Sequence, residues 1–292
     1  MARVHRLAVP ALFATAVYAV AVLIAAVIAL TTGDLLVLSY MTLFRGVEQG
    51  IEATWPNVGA LIMAGALWAW TLWQVLRGPS AGPAAELDRD ARRLRAALYA
   101  AAAAVLLSSL VPSWPWWTTV LHNVAMCAAM VLFRPVLGRK LGPAHQAWLG
   151  GVLAFGGYGG VAIMDVLDAF NQRVPDEVSW IFILAGLAWV VLVLRAQWQD
   201  DRWRRATVRY GVAALVVPFA LILVYPLLAI EGKVYIDATA VTGALMVIWL
   251  ARSAHDLADP ATPRTATDTM AAHPHGPDEP AGYASVDRPS SG

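Results

Sequence analysis

The stretch Gly150–Phe170, GGVLAFGGYGGVAIMDVLDAF, decides the fold of this chain. It is long and apolar enough to cross a bilayer as a helix, and its glycines allow a neighbouring helix to approach closely in lipid. On a helical wheel Gly157 and Gly160 lie on one face, beside Asp165 and Asp168. The stretch therefore predicts a membrane-spanning helix whose packing face also carries carboxylates.

The composition of the whole chain favours the same class. Of its 292 residues 59% are hydrophobic and only 14% are charged, whereas soluble domains have about 25% charged residues. The apolar residues come in long runs, which predicts an all-α, polytopic transmembrane helix bundle. A formal net charge of +1 gives no reason to expect a nucleic-acid partner, and a single cysteine excludes an intramolecular disulfide. The excess of arginine over lysine, 19 to 2, suggests a bacterial genome of high GC content.

Eight apolar stretches are candidate spans: residues 7–30, 56–76, 96–111, 118–133, 144–170, 178–194, 210–230 and 234–251. Seven spans are the alternative, because Asp237 interrupts the last stretch. Residues 35–54 predict an amphipathic helix at the membrane surface, and residues 77–95 predict an exposed linker. The bundle is thus expected over residues 1–255, with a disordered tail at 256–292.

The distribution of basic residues predicts the orientation. With the N-terminus in the cytoplasm, 18 of the 21 lysines and arginines lie on the cytoplasmic side, and Arg45, Arg173 and Lys233 lie outside. This asymmetry follows the positive-inside rule. The sequence therefore predicts a multi-pass protein of the plasma membrane with both termini in the cytoplasm.

Six polar residues are candidates for an outward-facing site: Asp165, Asp168, His122, Asn123, Glu48 and Glu52. Ionisable groups within spans are expensive and usually face a bundle interior or water, which makes Asp165 the strongest of them. The two aspartates could bind a cation, relay protons or simply end a helix in water. His122 could titrate, ligate a metal or form a hydrogen bond between helices. Together these groups would form a polar site open to the outside.

Two motifs of known chemistry are absent from the sequence. It contains no GxxxxGK[ST] or HExxH pattern, and no metal site or cofactor is expected. An accessory, sensory or scaffold membrane protein is therefore the first functional hypothesis. A transporter for a small cation or metabolite is the second, and an intramembrane enzyme using His122 and Asp165 is the third. The expected partners are the lipid bilayer and either other membrane proteins or that small solute.

Overall fold

The computed structural model describes residues 7–44, 46, 51–80, 86–110, 115–138, 140–141, 147–172, 175–224, 227, 230 and 232–259. The described residues form helices and one isolated β-bridge, Asp34 to Glu52, which confirms the all-α prediction. In chain order the helices are α1 (Ala8–Thr32), α2 (Leu36–Leu43), α3 (Trp55–Leu76), α4 (Arg89–Leu110), α5 (Trp116–Leu137), α6 (Ala147–Ala154), α7 (Gly160–Ala169), α8 (Asp176–Trp198), α9 (Arg205–Val224), α10 (Gly232–Ala240) and α11 (Gly243–Ala258). A π-helical turn, Phe155–Gly159, joins α6 to α7.

Among the described residues, seven segments are long and apolar enough to cross a membrane: Ala8–Thr32, Trp55–Leu76, Trp116–Leu137, Leu149–Ala169, Glu177–Trp198, Arg205–Val224 and Gly232–Ala258. These confirm the polytopic bundle. The last of them includes the predicted span that Asp237 interrupts. Helix α4, the third predicted span, is not among the seven; four arginines lie in its first two turns. It nevertheless packs against α5 and α11 within the bundle.

The interior consists of two apolar cores. One is built around Leu98, Phe133, Trp189 and Trp249 from α4, α5, α8 and α11. The other joins α1, α2 and α3 with α10 and the start of α11. The last span is the most enclosed of the seven, with 67% of its apolar stretch buried against 39% or less in the others. Because α11 packs against α3, α4 and α9, it connects the two cores.

The outer surface of the bundle is apolar. Along α1 the side chains of Val9, Leu12, Phe13 and Val27 are all more than half exposed. A monomeric soluble protein rarely exposes a continuous apolar surface of this kind. In an integral membrane protein this surface contacts the acyl chains of lipids.

The predicted surface helix over residues 35–54 is shorter in the structure. Helix α2 ends at Leu43, because Phe44 adopts the left-handed conformation with φ 58°. Leu38, Ser39 and Thr42 are buried, so α2 packs into the bundle against α1 and α3. Residues 51–54 are not helical, and Thr54 caps α3 by accepting a hydrogen bond from the Asn57 backbone N–H. Residues 45 and 47–50 lie outside the described part.

Two helix boundaries also differ from their predicted positions. Helix α4 begins at Arg89, so the charged half of the predicted linker 77–95 is helical. The last span continues beyond its predicted end at Ala251 as far as Ala258, and Asp256 is buried rather than part of a tail. At the end of the last span the reason is that the charged side chains of Arg252 and Asp256 find polar partners on other helices. The predicted tail from residue 260 onwards lies outside the described residues.

Candidate functional site

The glycine-rich span packs closely against α8. A Cβ added to Gly157 would lie 2.5 Å from the Cα of Gly186, and one added to Gly160 would lie 2.4 Å from the ring of Phe182. Such distances leave no room for a side chain. The glycine face thus contacts a neighbouring helix. Gly157 lies in the π-helical turn, a feature that often occurs at functional sites.

One turn beyond the glycine face, Asp165 contacts α5. Its Oδ2 accepts a hydrogen bond of 2.7 Å from Nδ2 of Asn123, whose side chain is buried. The charge of Asp165 acts on His122, and His122 Nδ1 lies 3.4 Å from Oγ of Ser108 on α4. We call this group the Asp165 cluster; its members are Ser108, His122, Asn123 and Asp165. The structure thus brings together three of the six candidate residues.

Of the other three candidates, two are exposed and one is not described. Asp168 is exposed at the end of α7, where its backbone carbonyl accepts from the Asn171 N–H. Glu52 is exposed, and its backbone pairs with that of Asp34 in the isolated bridge. Glu48 lies outside the described residues. Of the two glutamates predicted for the outward-facing site, the structure therefore describes only Glu52, and it shows no side-chain contact from Glu52 to Asp165.

The Asp165 cluster has the order serine, histidine, aspartate, which resembles that of a nucleophilic triad. Its hydrogen bonds differ from such a triad, because the Ser108 hydroxyl donates to the carbonyl of Val105 and the Asp165 carboxylate is bound by Asn123. Polar bonds of this kind commonly hold helices together in a membrane. The geometry therefore favours a structural role in joining α4, α5 and α7, and catalysis by His122 and Asp165 stays a hypothesis.

Ser108 also borders a cavity that the sequence analysis did not foresee. This cavity of about 280 Å³, the Asp237 pocket, is lined by Leu43, Phe44, Trp68, Ser108, Ser109, Asp237, Ala240 and Val241. It opens beside the break in the last span, where Val241 and Thr242 separate α10 from α11. Two features of the sequence could have indicated this pocket: the adjacent serines at the end of an alanine-rich span, and the lone aspartate inside the last span.

The aromatic wall of the Asp237 pocket is ordered by ring packing. The rings of Phe44 and Trp68 meet edge to face with centroids 5.3 Å apart. Trp68 is 3% exposed, and its indole N–H has no hydrogen-bond acceptor among the described residues. A buried donor without a partner costs about 1–3 kcal/mol. A buried group of this kind calls for an explanation, and an ordered water or a ligand in the pocket would provide one.

A second polar region lies at the opposite end of the last span. Arg252 is 7% exposed and donates to Oε1 of Gln74 at 2.9 Å and to Oγ1 of Thr207 at 3.2 Å. Asp256 accepts from Thr207 Oγ1 at 2.6 Å and pairs with Arg204. We call this region the Arg252 network. The sequence analysis missed it because an arginine at the end of an apolar run usually marks the membrane boundary.

No group of three histidine, cysteine, aspartate or glutamate side chains with metal-binding geometry occurs among the described residues. No family model, curated protein or solved structure matches this chain. Its class consequently rests on the fold alone, which is that of an integral membrane protein with a polytopic helix bundle.

Proposed function

We propose that this protein is a sensory membrane protein that binds a small organic cation in the Asp237 pocket. The observation that carries the proposal is the lining of the cavity, where the rings of Phe44 and Trp68 accompany the carboxylate of Asp237. Organic cations are attracted both to a carboxylate and to the faces of aromatic rings. The hydroxyls of Ser108 and Ser109 supply hydrogen bonds for a polar substituent.

The size of the cavity limits the ligand. Sites for drug-sized molecules enclose roughly 300–1,000 Å³, and the Asp237 pocket, at about 280 Å³, is slightly smaller. A compact amine or quaternary ammonium metabolite fits this volume. The acidic residues predicted on the outer side would raise the local concentration of such a cation.

Packing beyond the cavity favours sensing over transport. Between the pocket and the Arg252 network the bundle is filled by large buried side chains, including Phe133 and Trp249, whose rings stack 6.0 Å apart. Trp189 is fully buried in the same layer and donates to the carbonyl of Met130. A ligand bound beside the α10–α11 break would therefore shift helices rather than enter a passage. Such a shift is how a sensor carries a signal across the membrane.

Transport is the second candidate, and the interrupted helices favour it. The glycine-rich span contains a π-helical turn, and the last span is broken at Val241 and Thr242. Transporters build their substrate sites from discontinuous helices of this kind near the middle of the membrane. In that case the packed layer around Trp249 would be the closed gate of one of two alternating states.

Titration calorimetry of the whole protein in lipid nanodiscs tests the proposal, with choline and tetramethylammonium as probes. We expect wild type to bind at least one probe and Asp237→Asn to weaken binding at least tenfold, because the carboxylate charge is lost. Glu177→Gln is the matched control, since this acid is exposed at the start of α8. Failure of both probes to bind, or equal binding by Asp237→Asn, would contradict the proposal.

Uptake into proteoliposomes then separates the two candidates. A sensor binds labelled choline without accumulating it inside the vesicles. A transporter accumulates it, and Asp237→Asn abolishes the accumulation while Glu177→Gln does not.

A further inference from the structure

The Arg252 network and its surroundings, which include Asp259, Arg77 and Arg95, contain four arginines and two carboxylates. Both carboxylates are bound by Arg204: its Nε lies 3.6 Å from Asp256 Oδ1, and its terminal amino group pairs with Asp259. Ser80 also donates to Asp259 through its backbone N–H and its hydroxyl. Arg252 donates its hydrogen bonds to the neutral groups of Gln74 and Thr207, and the charge of Asp256 also acts on it.

Two further arginines reach the same place from other helices. Arg77 follows the last turn of α3, and Arg95 lies in the second turn of α4. The Nε atoms of both guanidinium groups are buried and have no hydrogen-bond acceptor among the described residues. Buried donors of this kind are normally satisfied by a protein group, by ordered water or by a ligand.

The imidazole of His255 marks where these arginines converge. The charges of Arg77, Arg252 and Arg95 all act on this ring, which is 6% exposed. The His255 ring packs on that of Tyr99 with centroids 5.7 Å apart, and the guanidinium of Arg95 lies 5.6 Å from the centre of the Tyr99 ring. Burial, and then the charge of Arg252, lower the pKa of Arg77 from its usual value. Three guanidinium groups thus lie near one aromatic wall, which is formed by His255 and Tyr99.

We propose that Arg77, Arg95 and Arg252 form a binding site for a phosphate group. Guanidinium groups bind phosphate through paired, charge-assisted hydrogen bonds, and the orphaned Nε donors of Arg77 and Arg95 are the groups it would satisfy. The site has four arginines and two aspartates when Arg204, Asp256 and Asp259 are included, so a phosphate neutralises the excess. It lies where α3 ends and α4 begins, which is the headgroup level of the bilayer. The phosphate can therefore come from an anionic lipid or from a soluble ion.

Thermal unfolding of the full chain in nanodiscs distinguishes the two sources. One arm uses phosphatidylcholine discs with added inorganic phosphate, compared with chloride at equal ionic strength. The other arm replaces part of the phosphatidylcholine by phosphatidylglycerol. A rise in Tm in the first arm supports a soluble phosphate, and a rise in the second arm alone supports a lipid headgroup.

The double variant Arg77→Gln/Arg95→Gln is expected to lose the rise in Tm and to weaken the apparent affinity at least tenfold. Arg209→Gln is the matched control, because this arginine is exposed on α9, and it should respond as wild type does. An equal response of the double variant and wild type overturns the proposal. If the double variant does not fold, the wild-type protein alone decides the question. Its Tm must then be higher in phosphate than in chloride, or higher in discs with phosphatidylglycerol than in pure phosphatidylcholine. If neither difference is found, the proposal is also overturned.

Discussion

At the scale of single residues, Asp165 illustrates how a carboxylate is kept within a helix bundle. Its partner Asn123 is buried, and the 2.7 Å bond between them joins α5 to α7. The sequence identified both residues, since each is a polar group in an otherwise apolar span. It could not identify Ser108 as a neighbour of His122, because that contact depends on how α4 packs against α5.

Replacing Asp165 tests whether it holds the helices together. Asp165→Asn is expected to retain the bond from Asn123, since an amide oxygen also accepts, and to unfold at nearly the wild-type temperature. Asp165→Ala leaves the Asn123 amide buried without a partner and should destabilise by about 1–3 kcal/mol. Thermal unfolding in detergent measures both, with exposed Asp168→Ala as the control. Equal stability of the Ala variant and wild type would contradict this role.

A second test at this scale concerns Asp200, which follows α8. Burial raises the pKa of its carboxyl, but hydrogen bonds from Arg202 and Lys140 outweigh that effect, so the pKa lies below its usual value. A carboxyl whose pKa is lower in the folded state stabilises the fold above its unfolded pKa, and this contribution disappears as the pH falls through the folded pKa.

We therefore expect Asp200→Asn to lower the midpoint of chemical unfolding by a measurable amount at pH 7. The difference from wild type should shrink below about pH 4, where the unfolded carboxyl becomes protonated. Exposed Glu86→Gln serves as the control and should behave as wild type at every pH. A difference that is constant from pH 7 to pH 3 would mean that the charge of Asp200 contributes nothing.

At the scale of helices, seven of the eight predicted spans overlap segments that are long and apolar enough to cross a membrane, whereas the ends of the helices were less predictable. The last span continues through Arg252, His255 and Asp256, which are polar and would ordinarily indicate water. They are buried because α3, α4 and α9 supply partners, and a single sequence does not show which helices are neighbours. Phe44 ended α2 for a comparable reason, since its ring packs against Trp68 of α3.

The close contact of the glycine face can be tested directly, because Gly156 and Gly157 are adjacent but differ in their surroundings. A Cβ at Gly157 meets the backbone of Gly186, while one at Gly156 meets nothing within 4 Å. Gly157→Ala should destabilise by about 1–3 kcal/mol through overpacking, and Gly157→Leu and Gly160→Leu should do so more severely. Gly156→Ala is the matched control for thermal unfolding. Equal melting of the two alanine variants would show that the α7–α8 contact is not close.

At the scale of the whole molecule, the last span and α4 connect two polar regions. One end of α4 has Ser108 beside the Asp237 pocket, and the other has Arg95 beside His255. Asp237 and Arg252 occupy the corresponding positions along the last span. A ligand at either end therefore contacts the same two elements, which is the arrangement that coupling between two sites requires.

The number of spans depends on α4, and reporter fusions determine it. Its 22 residues extend about 33 Å at 1.5 Å each. The apolar part beyond Arg95 extends only about 22 Å, which is short for a hydrocarbon core of about 30 Å, so the packing of α4 carries the argument. Its Ser108 end contacts the start of α5 at His122, so the two helices run antiparallel over the same depth. We therefore expect eight spans, with reporters at residues 85, 138, 202 and 260 all on the cytoplasmic side.

If α4 did not cross, residues 85 and 138 would report opposite sides, because only α5 would separate them. An external signal at residue 260 alone would instead mean that the last span does not cross, despite being the most buried of the seven apolar segments.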